Sequence, residues 1–197
     1  MGDKSLQKRK YIVEKSRSVF FKNGYRAVTM KDIVEACDIS RGGLYLYFTN
    51  TRDLFEAVLA DENEASVAEL IRRAREDGSN PGEIMLMYLD EQKKRMLQKK
   101  ENLITATYEY MFENKSQNRG SFVQKQFDEQ VAVLESLIQD GIEQEWMVCE
   151  DAAEAALNIC YTIEGLKVSA RTMGLTAEAV DKEIEYIMGT LGMVIKG

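Results

Sequence analysis

A single proline in 197 residues is the tightest constraint on what this chain can fold into. Sheet sandwiches and barrels reverse direction every few residues and rely on proline and glycine to do so. Here one proline and 13 glycines serve the whole length, and no stretch alternates apolar with polar residues long enough to read as a strand. The expected fold class is therefore all-α. Charged residues are 30% and apolar residues 45%, the balance of a globular chain able to bury a core without staples. Cys37, Cys149 and Cys160 form no CxxC pair and read as reduced thiols. No apolar run approaches the roughly 20 residues of a membrane span, and the opening residues lack a signal-peptide layout. A cytoplasmic protein is expected.

Histidine is absent. Ser-His-Asp triads, HExxH zinc sites and Glu-xx-His di-iron bundles all need one. No convergent set of Glu, Cys or Tyr replaces it, so the chain is read as a non-enzyme with no metal and no cofactor.

Net charge is −7, which argues against a polyanionic partner until its distribution is considered. Residues 1–52 carry 11 Lys/Arg against 5 Asp/Glu, a surplus of +6; residues 53–197 carry 15 against 28, a deficit of −13. A basic head on an acidic body suits a molecule whose head alone meets a polyanion. A solvated basic helix is the bland alternative, and Lys4, Lys8, Arg9 and Lys10 fit either.

Ile12, Ser16, Val19 and Phe20 share one face of a helix over Lys4–Asn23, ended by Gly24. Thr29 with Asp32 forms a capping box for a short second helix carrying Ile33 and Cys37. Ser40 caps a third helix from Arg41 to about Tyr47. A long helix is expected from Thr51 to Asp77, with Leu54, Phe55, Val58, Leu59, Ala65, Ala68, Ile71 and Ala74 inward, stopped by the cluster Gly78 to Gly82. Further helices are expected at about 83–99, 101–114, 119–144, 151–173 and 177–195, with breaks at Glu113–Asn118, Gly120 and Gly174.

Three short helices with a four-residue connection between the second and third make a helix-turn-helix candidate. Its third helix must enter a major groove, backbone N–H groups toward phosphates and first-turn side chains toward base edges. Arg41 is suited to guanine or to a phosphate. Gly42 and Gly43 cost this helix about 2 kcal/mol against alanine, and they remove bulk where the backbone must approach a duplex. Tyr45 and Tyr47 present hydroxyls suited to phosphate oxygens, and Thr29 is placed to donate to another. Leu46 is either a thymine-methyl contact or simply exposed. Leu44, Phe48, Phe20, Ile33 and Ile39 read as core, and Tyr25 as either packing or contact.

The segment Phe20 to Phe55, FFKNGYRAVTMKDIVEACDISRGGLYLYFTNTRDLF, resembles the DNA-binding head of the TetR family of bacterial repressors. Phe20, Gly24, Tyr25, Thr29, Ile33, Ile39, Ser40, Gly42, Leu44, Tyr45, Tyr47 and Phe48 all stand in register with that family's pattern. Three positions depart from it: Asp38 stands where the turn usually has Gly, Thr49 replaces a common Pro, and Thr51 occupies the place of a frequent phosphate-binding Lys. Neighbouring Arg52 is the candidate substitute, although it points about 100° away on a helix.

The resemblance implies a helix-turn-helix domain over residues 1–50 and a helical effector-binding and dimerisation domain over 51–197. It implies a ligand-responsive repressor that binds a palindromic operator in double-stranded DNA as a homodimer. The alternative is a DNA-binding scaffold that recruits a protein partner without a small-molecule effector. The DNA-contact set is Thr29, Ser40, Arg41, Gly42, Gly43, Tyr45, Leu46, Tyr47 and Arg52. The family's last two helices dimerise, which offers Ile159, Ile163, Leu166, Ile184, Ile187 and Leu191 for the interface, with Val194 at the end of the stripe; ordinary core within one chain is the alternative for each. Met and aromatic residues crowd the middle helices and suit an adaptable pocket or a plain core. The pocket reading takes Met87, Tyr88, Met96, Tyr108, Met111, Phe112, Phe127 and Trp146, with Tyr110 in the same crowd. Glu109 and Glu113, one turn apart, face either a cationic ligand or solvent.

Overall fold

Local chemistry sets most helix ends. In the computed structural model, which describes residues 3–64, 67–98, 102–114 and 122–193, ten helices run in chain order. They are α1 (Asp3–Asn23), α2 (Met30–Cys37), α3 (Arg41–Tyr45), α4 (Thr51–Glu64) and α5 (Val67–Glu76), then α6 (Pro81–Leu97), α7 (Ile104–Glu113), α8 (Phe122–Glu143), α9 (Ala152–Thr172) and α10 (Ala177–Thr190). Among the described residues there is no strand, and no helix is long and apolar enough to cross a membrane.

The chain divides into two compact units that do not follow a cut at residue 50. The first comprises Met1–Ala65 and Lys100–Phe122; the second comprises Ser66–Lys99 and Val123–Gly197. The cut moves because Leu54, Phe55 and Val58 of α4 are buried with α1, and because α7 returns to the same core.

In the first unit α1 buries Ile12, Ser16 and Phe20 completely. Each fully buried large apolar side chain contributes about 1.5–3 kcal/mol. The Ser16 hydroxyl, with no water to meet, donates to the Ile12 carbonyl at 2.7 Å. Gly24 ends the helix in the left-handed region, φ +76°, with its N–H on the Phe20 carbonyl at 2.9 Å. Asp38 takes the same region, φ 49°, in the turn between α2 and α3, so Asp serves where Gly is usual. Helix α3 stops at Tyr45, two residues short of expectation, because Tyr47 N–H tightens onto the Leu44 carbonyl at 2.9 Å while Phe48 turns into the core. Tyr110 of α7 completes an aromatic cluster, 5.2 Å from Tyr25 and 5.4 Å from Phe55. Tyr110 is thus core of the first unit and not part of a pocket crowd.

In the second unit, Asn80 and Glu83 form a reciprocal capping box and Pro81 sits in the first turn of α6, so the breaker cluster also starts a helix. The expected helix from Thr51 to Asp77 is described as α4 and α5; the residues joining them, and the side chains of Ala65 and Ala68, lie outside the described residues. So do Gly120, most of the Glu113–Asn118 stretch and Val194. Helix α10 ends at Thr190 because Gly192 turns left-handed, φ +61°, under Val148.

The stripe expected to dimerise is largely internal. Ile159, Ile163, Ile187 and Leu191 are buried in the core of their own unit, and Leu166 and Ile184 are half-buried against it. Each of α9 and α10 carries apolar residues on more than one face, and the inward faces are consumed within the chain. The outward residues are Leu157, Tyr161 and Val168 on α9 and Tyr186 on α10.

The eight pocket residues scatter likewise. Tyr88 and Met96 fill the core, and the Tyr88 hydroxyl accepts from Gln130 Nε2 at 2.9 Å. Met87, Phe112 and Trp146 are exposed, and Phe127 is half-buried with its ring 5.3 Å from Tyr161. Tyr108, Met111 and Phe112 belong to the first unit and the other five to the second.

Candidate DNA-binding surface

The first turns of α2 and α4 and the face of α3 bearing Arg41 and Tyr45 open onto one cleft of about 550 Å³. Its walls include Thr29, Lys31, Arg41, Tyr45, Asn50 and Thr51. Helix N-termini carry unpaired N–H groups and partial positive charge, so two of them beside Lys31 and Arg41 favour an anion. The Arg41 guanidinium lies 5.6 Å from the Tyr45 ring centre, a cation–π contact that orients it. Lys31 approaches Glu35 only at 3.7 Å with both side chains exposed, so little energy holds it back.

Each cap is made by its own local sequence. Ser40 Oγ accepts from Gly43 N–H at 3.0 Å, and Asn50 Oδ1 accepts from Asp53 N–H at 2.8 Å. The Thr29 hydroxyl donates to Asp32 Oδ2 at 2.7 Å, and the Thr29 N–H reaches the same oxygen at 2.8 Å. These bonds hold the Asp32 carboxyl below the usual carboxylate range. They also correct one expectation: Thr29 lines the cleft, but its hydroxyl hydrogen is taken by Asp32. The donors left at that corner are the first-turn N–H groups of Met30 and Lys31.

Arg52 is a second correction. Its Nε bonds Glu56 Oε1 at 2.8 Å, and Glu56 also receives the Tyr110 hydroxyl. Arg52 is therefore turned toward α7 and does not line the cleft. Gly42 on α3 and Leu46 just past its end both face outward, with Leu46 82% exposed; Ser40 is exposed, and Gly43 and Tyr47 are half-buried. A Cβ on Gly42 would meet nothing within 4 Å, whereas one on Gly43 would lie 3.1 Å from Ser40 Oγ. Sequence reasoning missed Met30, Lys31 and Asn50. The signal for Lys31 was its first-turn position on α2.

A family model described as "Bacterial regulatory proteins, tetR family" matches residues 12–58, and a model of "Tetracyclin repressor-like, C-terminal domain" matches residues 84–181. The chain belongs to the TetR family of transcriptional regulators. An uncharacterised HTH-type transcriptional regulator of Bacillus subtilis, YfiR, is 29% identical over 68% of this chain and 64% of its own length. The transcriptional repressor AcnR of Corynebacterium glutamicum is 37% identical over 36% of this chain and 37% of its own. Each match thus spans less than two thirds of the relative. The reduced form of NemR from E. coli superposes with a TM-score of 0.82 at 13% identity, over 96% of this chain and 99% of that one. The fatty acid degradation regulator FadR of Bacillus halodurans gives 0.78 at 17%, over 98% and 99%. At those identities the superpositions establish the fold. Among the described residues this TetR-family chain is all-helical, with an N-terminal helix-turn-helix.

Proposed function

We propose that the chain is a cytoplasmic, ligand-responsive transcriptional repressor that binds a palindromic operator as a homodimer and catalyses no reaction. The carrying observation is the convergence of two helix N-termini with Lys31, Arg41 and Tyr45 on one exposed cleft, beside an α3 face kept bare by Gly42. The cleft takes a phosphate, while Gly42 and Leu46 face the base edges. Ser40, Arg41, Gly43, Tyr45 and Tyr47 complete the contact set, and the Met30 and Lys31 N–H groups replace Thr29 and Arg52. Two such heads fit half-sites about 34–36 Å apart or a multiple of that.

The dimer forms through the outward stripe Leu157, Tyr161, Val168 and Tyr186. Gly165 and Gly189, with open space above both, allow a second copy to approach closely. An effector needs only to favour a state with a different head spacing; a 100-fold preference is worth about 2.7 kcal/mol. The filling of the core by Tyr88 and Met96 favours a second reading, a DNA-binding scaffold that recruits a protein without any effector.

Selection of duplexes from a random pool by the purified protein, followed by binding of the recovered duplex to Arg41→Ala and Tyr45→Phe, tests the proposal. Enrichment of an inverted repeat and weaker binding by both variants are expected. Wild-type affinity in both variants would refute the contact assignment. A ligand screen reading the exposed Trp146 separates the repressor from the scaffold.

A further inference from the structure

The turn between α1 and α2 is held by a carboxylate from far along the chain. Glu109 Oε2, on α7, accepts from Tyr25 N–H at 2.7 Å and from Arg26 N–H at 3.1 Å. The fit leaves no spare room: a Cβ on Gly24 would stand 2.5 Å from that same oxygen. One residue beyond the clamped pair, Val28 and Thr29 begin the wall of the phosphate cleft, and Val28 N–H bonds back to the Tyr25 carbonyl at 3.4 Å. The next residue of α7 serves the opposite side. The Tyr110 hydroxyl bonds Glu56, and Glu56 holds Arg52 at 2.8 Å, immediately after Asn50 and Thr51 on the cleft rim.

We infer that Glu109 is a positioning residue for DNA binding: its carboxylate sets the pose of the α1–α2 turn, and with Tyr110 it fixes the separation of the two rims that grip a phosphate. The inference rests on the DNA-binding reading above and adds a residue that lies outside its contact set. Helix α7 bonds Tyr25 and Arg26 behind one rim and Glu56 behind the other and lines none of the cleft, so loss of the clamp loosens the grip without removing a DNA contact. Glu113 does not share the role, because its pair with Arg26 spans 3.7 Å between half-exposed side chains.

The test uses the full chain and the duplex enriched by the wild-type protein. Glu109→Gln keeps the size of the side chain but loses the charge and one acceptor; Glu109→Ala removes the clamp; Glu113→Gln is the control. Binding by both Glu109 variants is expected to weaken about tenfold or more. The salt dependence of binding should keep its slope, since no phosphate contact is lost. Amide exchange at Tyr25 and Arg26 should quicken while the protein still unfolds cooperatively. Glu113→Gln should match the wild type. Wild-type affinity in both Glu109 variants would overturn the inference, as would a shallower salt slope or loss of cooperative unfolding in Glu109→Gln. Failure of the wild type to enrich any duplex would instead strike the DNA-binding reading, and this inference with it.

Discussion

Replacing Gly42 with alanine should strengthen the protein and weaken its grip on DNA. A glycine inside a helix costs about 0.5–1 kcal/mol relative to alanine, because its unfolded chain is freer. The fold has no steric use for this one: Gly42 is exposed, its φ is not positive, and an added Cβ meets nothing within 4 Å. Gly42→Ala should therefore raise stability by about 0.5–1 kcal/mol, or about 1–4 °C in melting temperature for a chain of this size. If a duplex lies against that face, the methyl group becomes an overpacked contact worth about 1–3 kcal/mol, a loss of about 5- to 150-fold in affinity per head. Gly43→Ala is the internal comparison. Its Cβ falls 3.1 Å from Ser40 Oγ, the acceptor of the Gly43 N–H, so any gain in helix propensity is offset by strain in the cap. The assays are thermal unfolding and titration of the enriched duplex at fixed salt. A Gly42→Ala protein that melts higher and binds as well as wild type would show that no backbone approach occurs there. One that melts lower would show that Gly42 is closely packed and has no open space above it.

Other expectations are equally direct. Lys31→Gln should make the salt dependence of DNA binding shallower by about 0.9 per protomer, measured as log K against log salt, with stability unchanged. Tyr161→Arg and Tyr186→Arg place charge on residues that are 62% and 70% exposed, so each monomer should fold normally while light scattering reports loss of the dimer. Thr29→Ala removes the cap of α2 and should cost about 1 kcal/mol in chemical denaturation. Burial pushes the Cys160 thiol up from 9.0 to about 11. Below pH 9 both states keep the proton; between 9 and 11 the unfolded chain binds fewer protons, so stability falls there by up to about 1.4 kcal/mol per pH unit. Cys160→Ala should flatten that part of the stability curve, and an unchanged curve would show that the thiol stays hydrated.

Whatever depends on neighbours a few residues apart was legible along the chain. Thr29 with Asp32, Ser40 with Gly43 and Asn80 with Glu83 make their caps within single turns, so the starts of α2, α3 and α6 follow from composition at fixed offsets. The stripe Ile12, Ser16, Phe20 and the left-handed stop at Gly24 follow from helical period in the same way. The cation surplus of the first 52 residues and the register of Gly42, Tyr45 and Tyr47 pointed to the helix-turn-helix head. The allotment of surplus donors and apolar faces came from long-range packing. Arg52 looked available for phosphate until Glu56 and Tyr110 claimed its side of α4. Glu109 looked like a surface acid until two N–H groups more than 80 residues away in sequence reached it. Helix α9 has apolar residues on two faces, and nothing local tells Ile159 and Ile163 to pack inward while Leu157 and Tyr161 stay outside. Hydrophobic burial is non-directional, so its sign on each face is set by whichever helix arrives, and that is a property of the whole chain.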